Sequence, residues 1–97
     1  MTGIAEARRT RIISRLERAF APSALEVADE SERHRGHAGW REGGGTHFAV
    51  RLVSERFSGL PRIARHRLVH EALGSELMAE IHALRLTLLA PEEAADG

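Results

Sequence analysis

From Thr2 to about Phe20 an apolar residue recurs every four positions, Ile12, Leu16 and Phe20, with Ile13 beside them. Arg8, Arg11, Arg15 and Arg18 take up much of the remaining circumference. One apolar stripe at this period predicts an amphipathic helix with an arginine-solvated outer face. Pro22 stops it, because proline cannot continue the hydrogen-bonding pattern. In 24-ALEVAD-29, Leu25 and Val27 alternate with Glu26 and Ala28, as in a half-buried strand. In 46-THFAVRLVS-54 the alternation is clearer: Phe48, Val50 and Leu52 share one face, while His47, Ala49 and Arg51 share the other. His47 therefore reads as a surface residue of this strand. Between the two strands, residues 31–45 are rich in glycine, histidine and charge and end in 43-GGG-45, which predicts a long loop.

The second half opens with 57-FSGLPRIARHRLVHEALG-74. Ser58 can cap, Pro61 suits a first helical turn, and Gly74 suits the position just past a helix end. Ile63, Leu68, Val69, Ala72 and Leu73 supply the apolar side of this helix. Ser75 is placed to cap a short second helix, SELMAE, and 81-IHALRLTLL-89 reads as a last strand with Leu84, Leu86 and Leu88 inward. By the period of two, His82 points to that same face at its edge. Pro91 and the acidic 92-EEAADG-97 read as a frayed tail, as do residues 1–2. The order helix, strand, strand, helix, helix, strand predicts a single α+β domain over residues 1–97, a two-layer sandwich with a three-stranded sheet and helices on one face. The two-helix link before the last strand permits parallel pairing, so the sheet is expected to be mixed.

Composition narrows the class. At 97 residues one modest core is the limit, and 42% hydrophobic with 29% charged residues is ordinary for a globular chain, which excludes wholesale disorder. Fourteen basic side chains, all arginine, balance fourteen acidic ones, so no global field favours nucleic acid or membrane. No segment approaches a membrane span. The N-terminus is amphipathic and arginine-rich like a transit peptide, but Glu6 and Glu17 argue against that reading, and a cytoplasmic location is expected. The chain has no cysteine, hence no disulfide and no thiolate for catalysis or metal binding. With no tyrosine, no serine in a nucleophile elbow, and a GGG run that precedes a strand, catalysis has little support.

Candidate chemistry is confined to histidines and one arginine cluster. In 29-DESERHRGHAG-39, His34 and His37 have H-x-x-H spacing, but two imidazoles alone fall short of the four ligands of a zinc site. In 62-RIARHR-67, Arg62, Arg65 and His66 fall on one helical face, with Arg67 adjacent. This face can meet phosphate, dock a partner, or simply be solvated. His70 sits on the same helix, where packing is the usual role, and Trp40 lies in the loop without an assigned one.

These pieces, 25-LEVADES-31 before a histidine loop, 46-THFAVRLVSERFSG-59, 65-RHRLVHEALGSEL-77 and 82-HALRLTLLAPEE-93, resemble the BolA family over nearly the whole chain. The resemblance implies the α-β-β-α-α-β order already derived, related to the class II KH topology. It also implies two functional traditions. In one, the protein pairs with a monothiol (CGFS) glutaredoxin and shares a [2Fe-2S] cluster, in iron sensing or cluster delivery. In the other it regulates transcription by binding DNA through the RHR helix. On the first, His82 corresponds to the family's cluster-ligating histidine and His34 to the variable-loop ligand, with His37 a possible substitute. Because this chain offers imidazoles only, the remaining ligands would come from the glutaredoxin cysteine and glutathione, and the isolated chain is expected to hold no cluster, as a monomer or weak homodimer. On the second, Arg62, Arg65, His66 and Arg67 would contact DNA. The loop 58-SGLP-61 lacks the second glycine of a KH GXXG motif, so KH-style RNA gripping is not expected.

Overall fold

The four-residue apolar repeat winds Ile12, Leu16 and Phe20 onto one side of α1 (Ile4–Phe20), and all three are buried. The helix ends ahead of Pro22: Ala21 turns left-handed (φ 44°) and returns its N–H to the Glu17 carbonyl. The computed structural model describes residues 3–31 and 44–95. After α1 come β1 (Ala24–Asp29), β2 (His47–Val53), a 3₁₀ turn (Glu55–Phe57), α2 (Arg62–Leu73), α3 (Ser75–Glu80), β3 (Ala83–Leu89) and α4 (Pro91–Ala95). No helix among the described residues is long and apolar enough to cross a membrane.

β2 is the central strand, antiparallel to β1 and parallel to β3. The sheet is therefore mixed, as expected, with α2 and α3 providing the crossover that parallel pairing requires. Register places Val27, Val50 and Leu86 in one row, and Leu52 beside Leu88. This face packs with Ile12, Leu16, Val69, Leu73 and Leu77 from the helices to form the core. Burial of each such side chain contributes about 1.5–3 kcal/mol. The opposite face carries Glu26, Arg51 and Thr87 in one row, exposed or half-buried. On each edge strand one carbonyl is covered by a helix arginine: Arg9 Nε donates to Val27 O at 2.7 Å, and Arg65 Nη1 donates to Leu88 O at 3.0 Å. Satisfied edge groups are poorer templates for strand addition.

Four local expectations are corrected. Ile63 is not on the apolar side of α2 but 64% exposed. The inward row is Arg65, Val69 and Leu73, spaced four apart, so Ile63 is rotated away from it. Ser58 does not cap α2, whose N-cap is Pro61 with no side-chain bond; its hydroxyl instead donates to Glu92 at 3.3 Å. Ser75 is likewise no cap, because Gly74 at φ 84° occupies that position between α2 and α3. Finally, residues 91–95 are helical, not frayed. Glu93 accepts the Ala90 N–H at 2.7 Å and pairs with Arg65 at 2.6 Å, which ties α4 to α2.

Candidate functional site

Parallel pairing brings the starts of β2 and β3 side by side, with His47 opposite Ala83. The Thr46 carbonyl accepts both the His82 N–H at 2.8 Å and the Ala83 N–H at 3.1 Å, which fixes where β3 begins. His82 thus sits just before the strand. It is exposed, so the alternation that turns Leu84 inward does not extend to it. Its ring centroid lies 5.2 Å from that of His47, with the planes tilted by 51°.

His47 itself is only 4% exposed, which corrects its reading as a surface residue. It does lie on the side opposite Phe48, and its neighbours Thr46 and Ser31 are buried with it. Thr46 Oγ1 and His47 Nδ1 are 2.8 Å apart. Ser31 Oγ accepts the backbone N–H of Thr46 at 3.0 Å and of His47 at 3.2 Å. The Ser31 hydroxyl and N–H both donate to Asp29 Oδ1, and Asp29 Oδ2 accepts the Gly45 N–H at 3.0 Å. Thr46 Oγ1 also lies 3.4 Å from Ser31 Oγ, so polar contacts link His47 through Thr46 and Ser31 to the Asp29 carboxylate. Linked buried polar groups that are satisfied together rigidify their surroundings.

Asp29 therefore ties Ser31 to Gly45, while Arg8 Nη1 donates to the Gly45 carbonyl from α1. Gly45 has φ 77°, and a Cβ there would lie 2.8 Å from the Ala5 backbone, so only glycine fits. Glu30, whose N–H bonds His47 O at 2.7 Å, also pairs with Arg85 at 2.7 Å. His34 and His37, and Trp40 with them, lie outside the described residues.

The arginine cluster is at the other end of β3. Arg62 and Arg67 are exposed and His66 half-buried. Arg62 and His66 flank a shallow hollow along Leu86–Leu89. Arg65 does not join them. Its side chain is only 11% exposed, and its guanidinium donates to Leu60 O, Leu88 O and Glu93 while lying 6.0 Å over the Phe57 ring. Leu88 is six residues along the strand from His82, about 20 Å away. The structure thus does not bring the arginine cluster to His82.

Among the described residues no three of His, Cys, Asp and Glu converge as a metal site needs. What this surface can offer an external iron is the exposed His82 imidazole. That donor suits a centre whose other ligands come from elsewhere. Sequence reasoning named His82 but read the buried His47 beside it as a surface residue. The register of a parallel pair, with Thr46 and His47 facing His82 and Ala83, is the signal that would have located it.

Residues 16–93 match the family described as BolA-like protein. BolA-like protein 1 of Mus musculus is 44% identical over 82 residues, which is 84% of this chain and 57% of that protein. The DNA-binding transcriptional regulator BolA of Escherichia coli is 46% identical over 78 residues, 80% of this chain and 70% of its own length. Among solved structures, the BolA domain of SufE1 from Arabidopsis thaliana superposes with a TM-score of 0.78 at 40% identity, covering 90% of this chain and 95% of that one. The chain spans little more than half the length of the mouse relative.

Proposed function

The chain belongs to the BolA family, and we propose that it acts in the cytosol as a non-enzymatic partner of a monothiol (CGFS) glutaredoxin. In that complex it co-ligates a bridging [2Fe-2S] cluster for iron sensing or for cluster assembly and transfer. The observation that carries this reading is the exposed imidazole of His82, its backbone pinned by the Thr46 carbonyl, in a chain without cysteine. His82 supplies one ligand, and His34 the second, with His37 its alternative. The partner's cysteine and the thiol of glutathione complete the set. The cluster is cargo shared between two proteins. An imidazole is neutral, weaker than thiolate and protonatable near neutral pH, so release is easier than from four thiolates.

The test is co-purification with a CGFS glutaredoxin, reconstitution with iron and sulfide, and visible absorption with circular dichroism. His82→Ala is expected to abolish the heterocomplex spectrum while thermal unfolding stays unchanged. An unaltered spectrum and iron content in that variant would overturn the ligand assignment.

A second reading is DNA binding through α2. Two observations favour it: the exposed Arg62 and Arg67 on that helix, and the name of the Escherichia coli relative as a DNA-binding regulator. Arg65 is not available for it, since its donors are held by Leu60, Leu88 and Glu93. Two or three phosphate contacts give weak, salt-sensitive affinity.

A further inference from the structure

The described part of the site contains a second imidazole that ligation by His82 does not use. His47 is a buried polar ring held by Thr46 Oγ1 at 2.8 Å, and its centroid is 5.2 Å from that of His82. Among the described residues, three of the four buried polar side chains are Ser31, Thr46 and His47, and all belong to the chain of hydrogen bonds that ends on Asp29. Burying polar groups is costly unless each is bonded, so such a concentration behind one exposed ring is an arrangement with a physical consequence. An exposed histidine otherwise samples several rotamers, and holding one of them costs side-chain entropy when a ligand is bound. A fixed aromatic neighbour removes part of that freedom in advance. Partners of metal-binding histidines behind the ligands tune affinity in this way.

We propose that His47, anchored through Thr46, Ser31 and Asp29, is a positioning residue that holds the His82 imidazole in the orientation used for ligation. The clause about ligation rests on the function proposed above; the positioning of the ring does not. Two further consequences follow from the connectivity. The same Asp29 carboxylate accepts from Ser31 and from Gly45, which precede and follow the histidine-bearing stretch, Gly45 one residue beyond its end at Gly44. Orientation of His82 and the positions of Ser31 and Gly45 are thereby set by one network. In addition, His47 acts on a bound cluster only through His82.

The experiment uses the full chain in two forms. First, imidazole proton–nitrogen spectra of the isolated protein are compared with His47→Ala and with His47→Phe, which keeps a ring and is the safer variant for folding. The His82 ring protons are expected to show ring-current displacement in the parent and in His47→Phe, and to move to solvent-like positions in His47→Ala. Second, the reconstituted complex with a CGFS glutaredoxin is challenged with a chelator. His47→Ala is expected to release iron about tenfold faster and to alter the visible circular dichroism. His82 ring signals indifferent to His47→Ala, or iron release and dichroism unchanged in His47→Ala, would overturn the proposal. If His82→Ala leaves the cluster intact while His47→Ala still shifts the His82 ring signals, the ligand reading fails and the positioning stands.

Discussion

The Arg65 guanidinium meets the Glu93 carboxylate with both terminal nitrogens, at 2.6 and 3.3 Å, although 28 residues separate them. The same guanidinium donates to the carbonyls of Leu60, at the entry to α2, and Leu88, near the end of β3. One side chain thus joins α2, β3 and α4. Of the motif's basic residues, Arg65 is the one that serves the fold.

Arg65→Ala is expected to destabilise the protein by about 1–3 kcal/mol, because it leaves carbonyl acceptors without their donor in a largely covered position. In a chain of this size that is a loss of roughly 5–15 °C in melting temperature. Arg65→Lys should recover only part of it, since an ammonium cannot reproduce the planar fork. Thermal unfolding followed by circular dichroism measures both; an unchanged midpoint in Arg65→Ala would contradict the structural role.

Acid stability follows from two carboxylates. The Arg65 hydrogen bond, with help from the Ala90 N–H, holds the Glu93 carboxyl below its ordinary value of 4.5. Glu80 is lowered too, chiefly by its hydrogen bond to Arg11 and secondarily by Arg8, with burial opposing; Arg11 is raised in turn. A depressed folded-state value means the contribution is fully present above 4.5 and is lost as pH falls through the lower folded value. Melting temperature should therefore decline below about pH 4.5. The decline should be shallower in the Glu80→Gln and Glu93→Gln variants. Equal slopes in parent and variants would dissociate these pairs from acid stability.

Element order and the mixed sheet were legible because they depend on local period and on link length, as with the repeat of Ile12, Leu16 and Phe20. What escaped depends on distance along the chain. Arg65 sits in the inward row with Val69 and Leu73, but a charged residue at a core position is hidden from a reading that sorts by polarity. Its i, i+4 spacing to Val69 was the available clue. His47 was placed on the correct face, opposite Phe48, but its burial was missed, because alternation along β2 says nothing of Ser31, 16 residues away, whose hydroxyl accepts the His47 N–H. Of the two proposed ligands, His82 precedes β3 and is exposed, where the period of two had turned it to the inward face, and His34 falls outside the described residues.

Ile63 and Leu73 give a direct check on the rotation of α2. Ile63 is 64% exposed and Leu73 fully buried. Ile63→Ala should change stability by no more than about 0.5 kcal/mol, since it exchanges an exposed residue for a better helix former. Leu73→Ala should cost about 2–5 kcal/mol through lost burial and a residual cavity. Chemical denaturation resolves the difference. Comparable losses at both positions would mean that α2 presents a different face to the sheet.

The two proposed activities occupy opposite ends of β3, which makes them separable. His82 precedes the strand, while Arg62 and His66 flank its far half from Leu86 to Leu89. Changing Arg62 and Arg67 to glutamine should leave the heterocomplex spectrum intact, because neither is a proposed ligand and Arg62 lies beside the far half of β3. If α2 contacts phosphates, the same double variant should weaken retention on duplex DNA at low salt. It should also lower the slope of log affinity against log salt by about 0.9 for each contact removed. His82→Ala should leave both DNA measures unchanged. Arg65 is unsuitable as a probe here, because its removal unsettles α2, β3 and α4 together and would depress binding without any contact to phosphate. No retention of the parent at low salt, or a slope indifferent to Arg62 and Arg67, would remove DNA binding by α2 and leave the glutaredoxin partnership as the remaining reading.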